Sequence, residues 1–186
     1  KYKGLITENI NSQIFFENDS ILKLNHLNLH YKETVANAHG EIIAHSSQVE
    51  LLKDNPFDLD FSVKVKGRSE DLNDYLKTTN FIFRSGDFEF VGNYKAESKD
   101  LKLLNAEGFG DLKMAGTTVD FKAAGLQIPV DSLHVEINND VATLKTLDIQ
   151  LPGKSMVYFS GTIDNFSGFI NGPQDINQHS SSFSIY

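Results

Sequence analysis

Few residues in this chain combine the types and the spacing that chemistry requires. Gly153-Lys154-Ser155 ends as a phosphate-binding loop does, but the first glycine of that motif falls at Asp148, and a strand pattern follows where the motif needs a helix. The tripeptide reads as a hairpin turn. His26 and His30 would share a metal ion on a helix, whereas on a strand their Cα atoms lie about 13 Å apart, too far for a common ion. Asp54, Asp58 and Asp60 could ligate calcium with carbonyl help, yet beside the Asn55-Pro56 turn the plainer reading is an acidic outer face. Asp131, Ser132 and His134 are the residue types of an acyl-transfer triad, but no Gly-x-Ser-x-Gly elbow exists, and adjacent strand residues point to opposite faces. Among 25 acidic residues nothing singles out two for glycoside chemistry. The expectation is a protein that is not an enzyme and that uses no metal and no cofactor.

Other function classes are limited by composition. A formal net charge of −8 and a pI near 5.2, with no basic cluster, disfavour nucleic acid and anionic membrane surfaces as partners. Cysteine is absent, which excludes disulfides and thiolate metal sites. No run approaches the roughly 18 apolar residues that span a bilayer, and no signal-peptide order opens the chain at Lys1. Its 186 residues suit a single β-rich unit covering 1–186, expected to be a fragment of a longer protein.

The elements are strands. Leu126 to Phe166 is the organising meander: Leu133, Val135 and Ile137 alternate with polar residues, Asn138-Asn139-Asp140 reverses the chain, Leu147, Ile149 and Leu151 repeat the pattern, and Val157, Phe159, Gly161 and Ile163 carry it back. Phe57 to Gly67 is the cleanest alternation. Ser69 is a plausible N-cap for a two-turn helix at about 69–77, with Leu72, Tyr75 and Leu76 facing a sheet. Arg84-Ser85-Gly86-Asp87 reads as a four-residue hairpin between Phe81-Ile82-Phe83 and Phe88-Glu89-Phe90. Short strands then follow at Leu101 to Ala106, Leu112 to Met114 and Val119 to Ala123, punctuated by Gly108, Gly110 and Gly116. Nearer the start, Leu5-Ile6, Ile14 to Phe16, Ile21 to Tyr31 and Glu41 to Leu52 read as strands. Leu22 and Leu24 are out of phase with Leu27 and Leu29, which places a bulge near Asn25-His26. Residues 63–76 and 157–170 match by class over fourteen positions and suggest an internal repeat.

With the meander and Phe57 to Leu76 on the page, the rhythm of strand, turn with Gly, strand ending in Gly and then an Asn/Asp-apolar step resembles the AsmA family of bacterial envelope proteins over about residues 57–170. That resemblance, which extends to the TamB-like relatives, implies a long curved β-sheet projecting into the periplasm from an inner-membrane anchor. It also implies a lipid-sheltering apolar face that moves phospholipid toward the outer membrane. The expected fold class is mainly β: an extended, curved antiparallel β-meander with one or two short helices, groove-like and partly repetitive. Expected partners are phospholipid or another acyl-chain lipid, the remainder of the longer chain, and inner- and outer-membrane envelope proteins, without nucleic acid.

Individually, the phenylalanines read as core. An open sheet changes that, because it has too little protein to cover its apolar face. On that footing Phe81, Phe83, Phe88, Phe90, Tyr94, Val135, Ile137, Ile149, Leu151 and Phe159 are expected to line a lipid groove. The rival reading is a secreted or surface β-sandwich that binds protein or glycan through its loops, which requires two sheets with dry inner faces.

Overall fold

Alternating strands joined by short turns pair with their neighbours in sequence, and here they do so along the whole described chain. The computed structural model describes residues 9–17, 21–44, 56–76, 81–99, 102–122, 125–139, 141–150, 155–164 and 181–185. Strands account for 89% of them. In order these are β1 (Asn9–Glu17), β2 (Ile21–Tyr31), β3 (Thr34–Ala44), β4 (Phe57–Arg68), β5 (Phe81–Lys99), β6 (Lys102–Phe121), β7 (Leu126–Asn138), β8 (Val141–Gln150), β9 (Met156–Asp164) and β10 (Ser181–Ile185). A 3-10 turn, Ser69–Asp71, leads into the short helix α1 (Leu72–Leu76). The ten strands form one open, curved antiparallel sheet in sequence order, without a crossover.

Pairing fixes which side chains share a face, because paired residues point the same way and successive ones alternate. Val65 pairs with Phe90, Phe90 with Leu112, Leu112 with Val135, Val135 with Leu144 and Leu144 with Gly161. In the other direction Val65 pairs with Ala36, Ala36 with Leu29 and Leu29 with Ile10. One face is therefore apolar across the sheet, and the other carries Asp60, Lys64, Lys66, Glu89, Lys95, Asp111 and Lys113.

Bulges keep this face continuous. The apolar phase slips by one residue between Leu24 and Leu27, Phe83 and Phe88, Met114 and Val119, Val130 and Leu133, and Leu144 and Leu147. The register shifts at the same places. Each extra residue restores the following apolar side chains to the face that they would otherwise leave. Gly86 and Gly116, with φ of +101° and +58°, supply the conformation that the β5 and β6 bulges need.

Several expectations change accordingly. Arg84 to Asp87 is not a hairpin: β5 runs unbroken from Phe81 to Lys99, and the glycine makes a bulge within it. β6 is likewise one strand of 20 residues, with Gly108, Gly110 and Gly116 inside it, not three short strands. β3 begins at Thr34, ahead of the expected Glu41. The Asn25-His26 bulge and the reversal at Asn139 (φ 52°) are as the sequence suggests. Leu5-Ile6, residues 45–52, Tyr75 and Leu76 as side chains, and the turn-or-helix part of the second repeat at 165–170 lie outside what is described. The strand parts of that repeat place Val63, Val65 and Gly67, and Val157, Phe159 and Gly161, on the same apolar face.

The helix fills a notch. β4 ends at Arg68, paired with Asp87, while β5 extends past that point to Phe81, which would leave its edge exposed. Asn73 takes the place of the missing strand: its Nδ2 donates to the Phe83 carbonyl at 2.8 Å and its Oδ1 accepts from the Phe83 N–H at 3.0 Å. Ser69 is not the N-cap. Arg68 holds the extended position ahead of the turn, and the fully buried Ser69 hydroxyl lies 3.2 Å from Thr117 Oγ1. Thr34 Oγ1 donates to Asp71 Oδ2 and Tyr31 OH to Asp74 Oδ2, both at 2.7 Å, tying the helix to the β2–β3 turn. Asn73→Ala, which removes both bonds to a half-buried strand edge, is expected to lower unfolding free energy by roughly 1–3 kcal/mol in a urea titration. An unchanged midpoint would show that water replaces the amide at no cost.

Candidate functional site: an apolar face with a glycine-floored hollow

The apolar face is only partly closed. Phe88, Ala96, Met114, Val119, Val130 and Ala142 are buried, and they cluster along the bulged middle strands. Around them Phe61, Val63, Phe90, Leu112, Val135, Ile137, Leu144 and Phe159 remain half-exposed, and Ile10, Ile14 and Tyr94 are exposed. The described strands form a single layer, and covering an apolar face requires a second.

At its centre the face is floored by small residues. Gly92 on β5 pairs with Gly110 on β6, and Tyr94 pairs with Gly108. The Phe90 ring rests on this floor: a Cβ added at Gly92 or at Gly110 would lie 2.8 Å or 2.9 Å from its ring carbons. The aromatic ring covers backbone that glycine leaves bare, a pairing known to stabilise sheets. Phe61, Val63, Phe90, Tyr94 and Ile137 wall a hollow of about 350 Å³ here. A larger one, about 700 Å³, opens on the other side of the sheet among Lys64, Lys66, Glu89 and Lys113. Its charged lining suits water and ions, so size alone does not identify the site for apolar material.

Most of the expected groove residues come together on this face. Phe88, Phe90, Tyr94, Val135, Ile137 and Phe159 share it through direct pairing, and Phe83 and Ile149 join it across the bulges. Phe81 pairs with Phe121, but its side chain, like Leu151, lies outside what is described. Phe88 is 6% exposed and belongs to the core more than to any surface. The sequence reading omits Phe61, Val63 and the Gly92-Gly110 floor. Phe61 and Val63 were legible in the alternation of β4, whereas the glycine pair needs the register.

Of the residues weighed for chemistry, those that are described fall on the polar face or apart, while Asp54, Gly153 and Lys154 lie outside what is described. His26 and His30 pair with Gln13 and Asn9, four residues apart on one strand. Asp60 forms an ion pair with Lys95 at 2.8 Å. Ser132 Oγ donates to Asp148 Oδ2 at 2.6 Å while His134 Nε2 meets Asp111 Oδ2 at 3.1 Å, so hydroxyl and imidazole engage different acids and no triad forms. Much of this face is a cross-strand charge ladder, interrupted by the exposed side chains of Val91, Phe109 and Tyr158. Glu89 lies between Lys64 (2.9 Å) and Lys66 (3.2 Å), whose ammonium groups hold its carboxyl below the usual range. His134, with help from Lys113, does the same for Asp111.

In comparisons with known proteins, no family model, no curated protein and no solved structure matches the chain.

Proposed function

We propose that this chain is a lipid-binding segment, AsmA-like in kind, whose apolar face shelters acyl chains during phospholipid transfer through the periplasm toward the outer membrane. The observation that carries the proposal is the continuity of one partly exposed apolar face over the sheet, with five bulges placed where the sequence phase would otherwise turn apolar side chains outward. A sheet built only for stability has no need to hold an uncovered face in phase across ten strands. The periplasmic setting, an inner-membrane anchor in the full-length form and further envelope partners rest on the sequence resemblance alone. The rival sandwich requires a second sheet, and the described strands make one.

Each CH₂ withdrawn from water contributes about 0.8 kcal/mol, so eight methylenes on this face would contribute roughly 6 kcal/mol before the cost of ordering the chain. Among the described residues no charged group lines the glycine-floored hollow, and selectivity among headgroups should be weak. Titration of a fluorescent phospholipid into the detergent-free protein should give saturable binding, with phosphatidylethanolamine and phosphatidylglycerol competing to within a few-fold of each other. Absence of saturable uptake would refute the proposal, and competition by only one headgroup would refute acyl-chain capture as its basis.

A further inference from the structure

The polar face has a feature that lipid binding does not use. Asp111 on β6 and Glu136 on β7 are directly paired, and like charges in that relation repel. His134 lies two residues before Glu136 on the same face. Its Nε2 is 3.1 Å from Asp111 Oδ2 and 4.0 Å from Glu136 Oε1, and one ligand atom from each residue lies within 4.8 Å of the others.

The second oxygen of each carboxylate is engaged elsewhere. Asp111 Oδ1 is 3.3 Å from Lys113 Nζ, and Glu136 Oε2 is 2.8 Å from Lys145 Nζ. The two lysines thus take the outer oxygens, while Oδ2 and Oε1 converge on the imidazole. Outer partners that fix the orientation of a ligating carboxylate are a regular part of metal sites. Other acids also stand directly opposite one another, Glu41 with Asp60 and Asp58 with Glu97, and of these Asp60 is balanced by Lys95 at 2.8 Å. Only here among the described residues do a histidine and two acids converge so that they could hold an ion.

We propose that Asp111, His134 and Glu136 bind a divalent transition cation of the zinc class, clasping β6 to β7 on the face opposite the lipid site. One imidazole nitrogen and two carboxylate oxygens suit Zn²⁺. Tetrahedral bonds of about 2.0–2.2 Å put donor atoms about 3.3–3.6 Å apart, against 3.1 Å and 4.0 Å from the imidazole to the two acids and no more than 4.8 Å between any two of the three ligand atoms, differences that side-chain rotation can close. Calcium and magnesium prefer more oxygens and no nitrogen. Three protein ligands leave a fourth position for water.

The test uses the chelator-treated protein and needs no lipid. Calorimetric titration with ZnCl₂ should show one ion per chain, and Co²⁺ should produce visible absorption bands of a tetrahedral site. His134→Gln and Glu136→Gln should each weaken binding by roughly tenfold or more, while His26→Gln and His30→Gln leave it unchanged. Circular dichroism identifies any variant that fails to fold, and for such a variant Lys145→Met, which removes only an outer partner, takes its place with a smaller loss. Equal Zn²⁺ affinity in wild type and the His134 and Glu136 variants, or no uptake by wild type, would overturn the site.

Discussion

Gly86→Val is expected to destabilise the sheet severely, by more than about 3 kcal/mol and with a large drop in the urea midpoint. Two independent costs meet at this position. The backbone sits at φ +101°, where a β-branched residue is strained by roughly 1–3 kcal/mol. A Cβ would also lie 2.4 Å from Thr117 Oγ1, 2.6 Å from Thr117 Cα and 2.7 Å from the Ala115 carbonyl oxygen. Two of those three neighbours are backbone atoms of a paired strand, which cannot swing away, and overpacking of that kind costs roughly another 1–3 kcal/mol. Against a total stability of about 5–15 kcal/mol, the sum is a large fraction. Gly116→Ala is the control: φ is +58° there too, but a Cβ meets nothing within 4 Å, so only the smaller conformational cost of roughly 1 kcal/mol remains. Similar midpoints for the two variants would mean that the β5 bulge relaxes and that its geometry is not what keeps the apolar face in phase.

Phe90→Glu should have the opposite profile, with the fold retained and lipid binding weakened by roughly tenfold or more. The Phe90 ring is half-exposed over the Gly92-Gly110 floor, and a carboxylate in its place can still reach water. It would nevertheless sit where an acyl chain is proposed to lie. Losing contact with two or three methylenes at about 0.8 kcal/mol each exceeds the 1.4 kcal/mol of a tenfold change. Phe88→Glu, although two residues away on the same face, should instead unfold the protein, because that side chain is 6% exposed. A charge there is buried without a partner. The sequence reading treats the two phenylalanines alike, and burial separates them. Thermal melts beside fluorescent-lipid titrations distinguish the outcomes. Unaltered lipid affinity in a folded Phe90→Glu protein would remove this part of the face from the proposed binding surface.

The fold class was legible because alternation is a local signal. Phe57 to Gly67 and Leu133 to Ile137 each announce a strand with one dry face, and the slip between Leu24 and Leu27 announces a bulge. The same slip recurs between Phe83 and Phe88, but there the intervening Arg84-Ser85-Gly86-Asp87 has turn chemistry that fits a hairpin and a glycine bulge equally well. What decides between them is long-range: β6 supplies a partner along the entire length of β5, from Phe121 opposite Phe81 to Lys102 opposite Lys99. Glycines misled for the same reason in β6, where they lie inside the strand. The apolar-face residues were largely readable from phase, whereas the glycine floor and the Asp111, His134 and Glu136 cluster were not. Both depend on the β5–β6 and β6–β7 registers, which bring Gly92 to Gly110 and Asp111 to Glu136 across gaps that no periodicity marks.

The central claim is that acyl chains lie on one face of the sheet, and the most direct measurement is photocrosslinking with a phospholipid that carries a diazirine in its acyl chain, followed by peptide mapping. Crosslinks should concentrate on apolar-face residues such as Phe61, Val63, Phe90, Val135 and Ile137, and should fall when unlabelled phospholipid competes. Crosslinks spread evenly over both faces, or concentrated around Lys64, Glu89 and Lys113 on the polar side, would contradict the account.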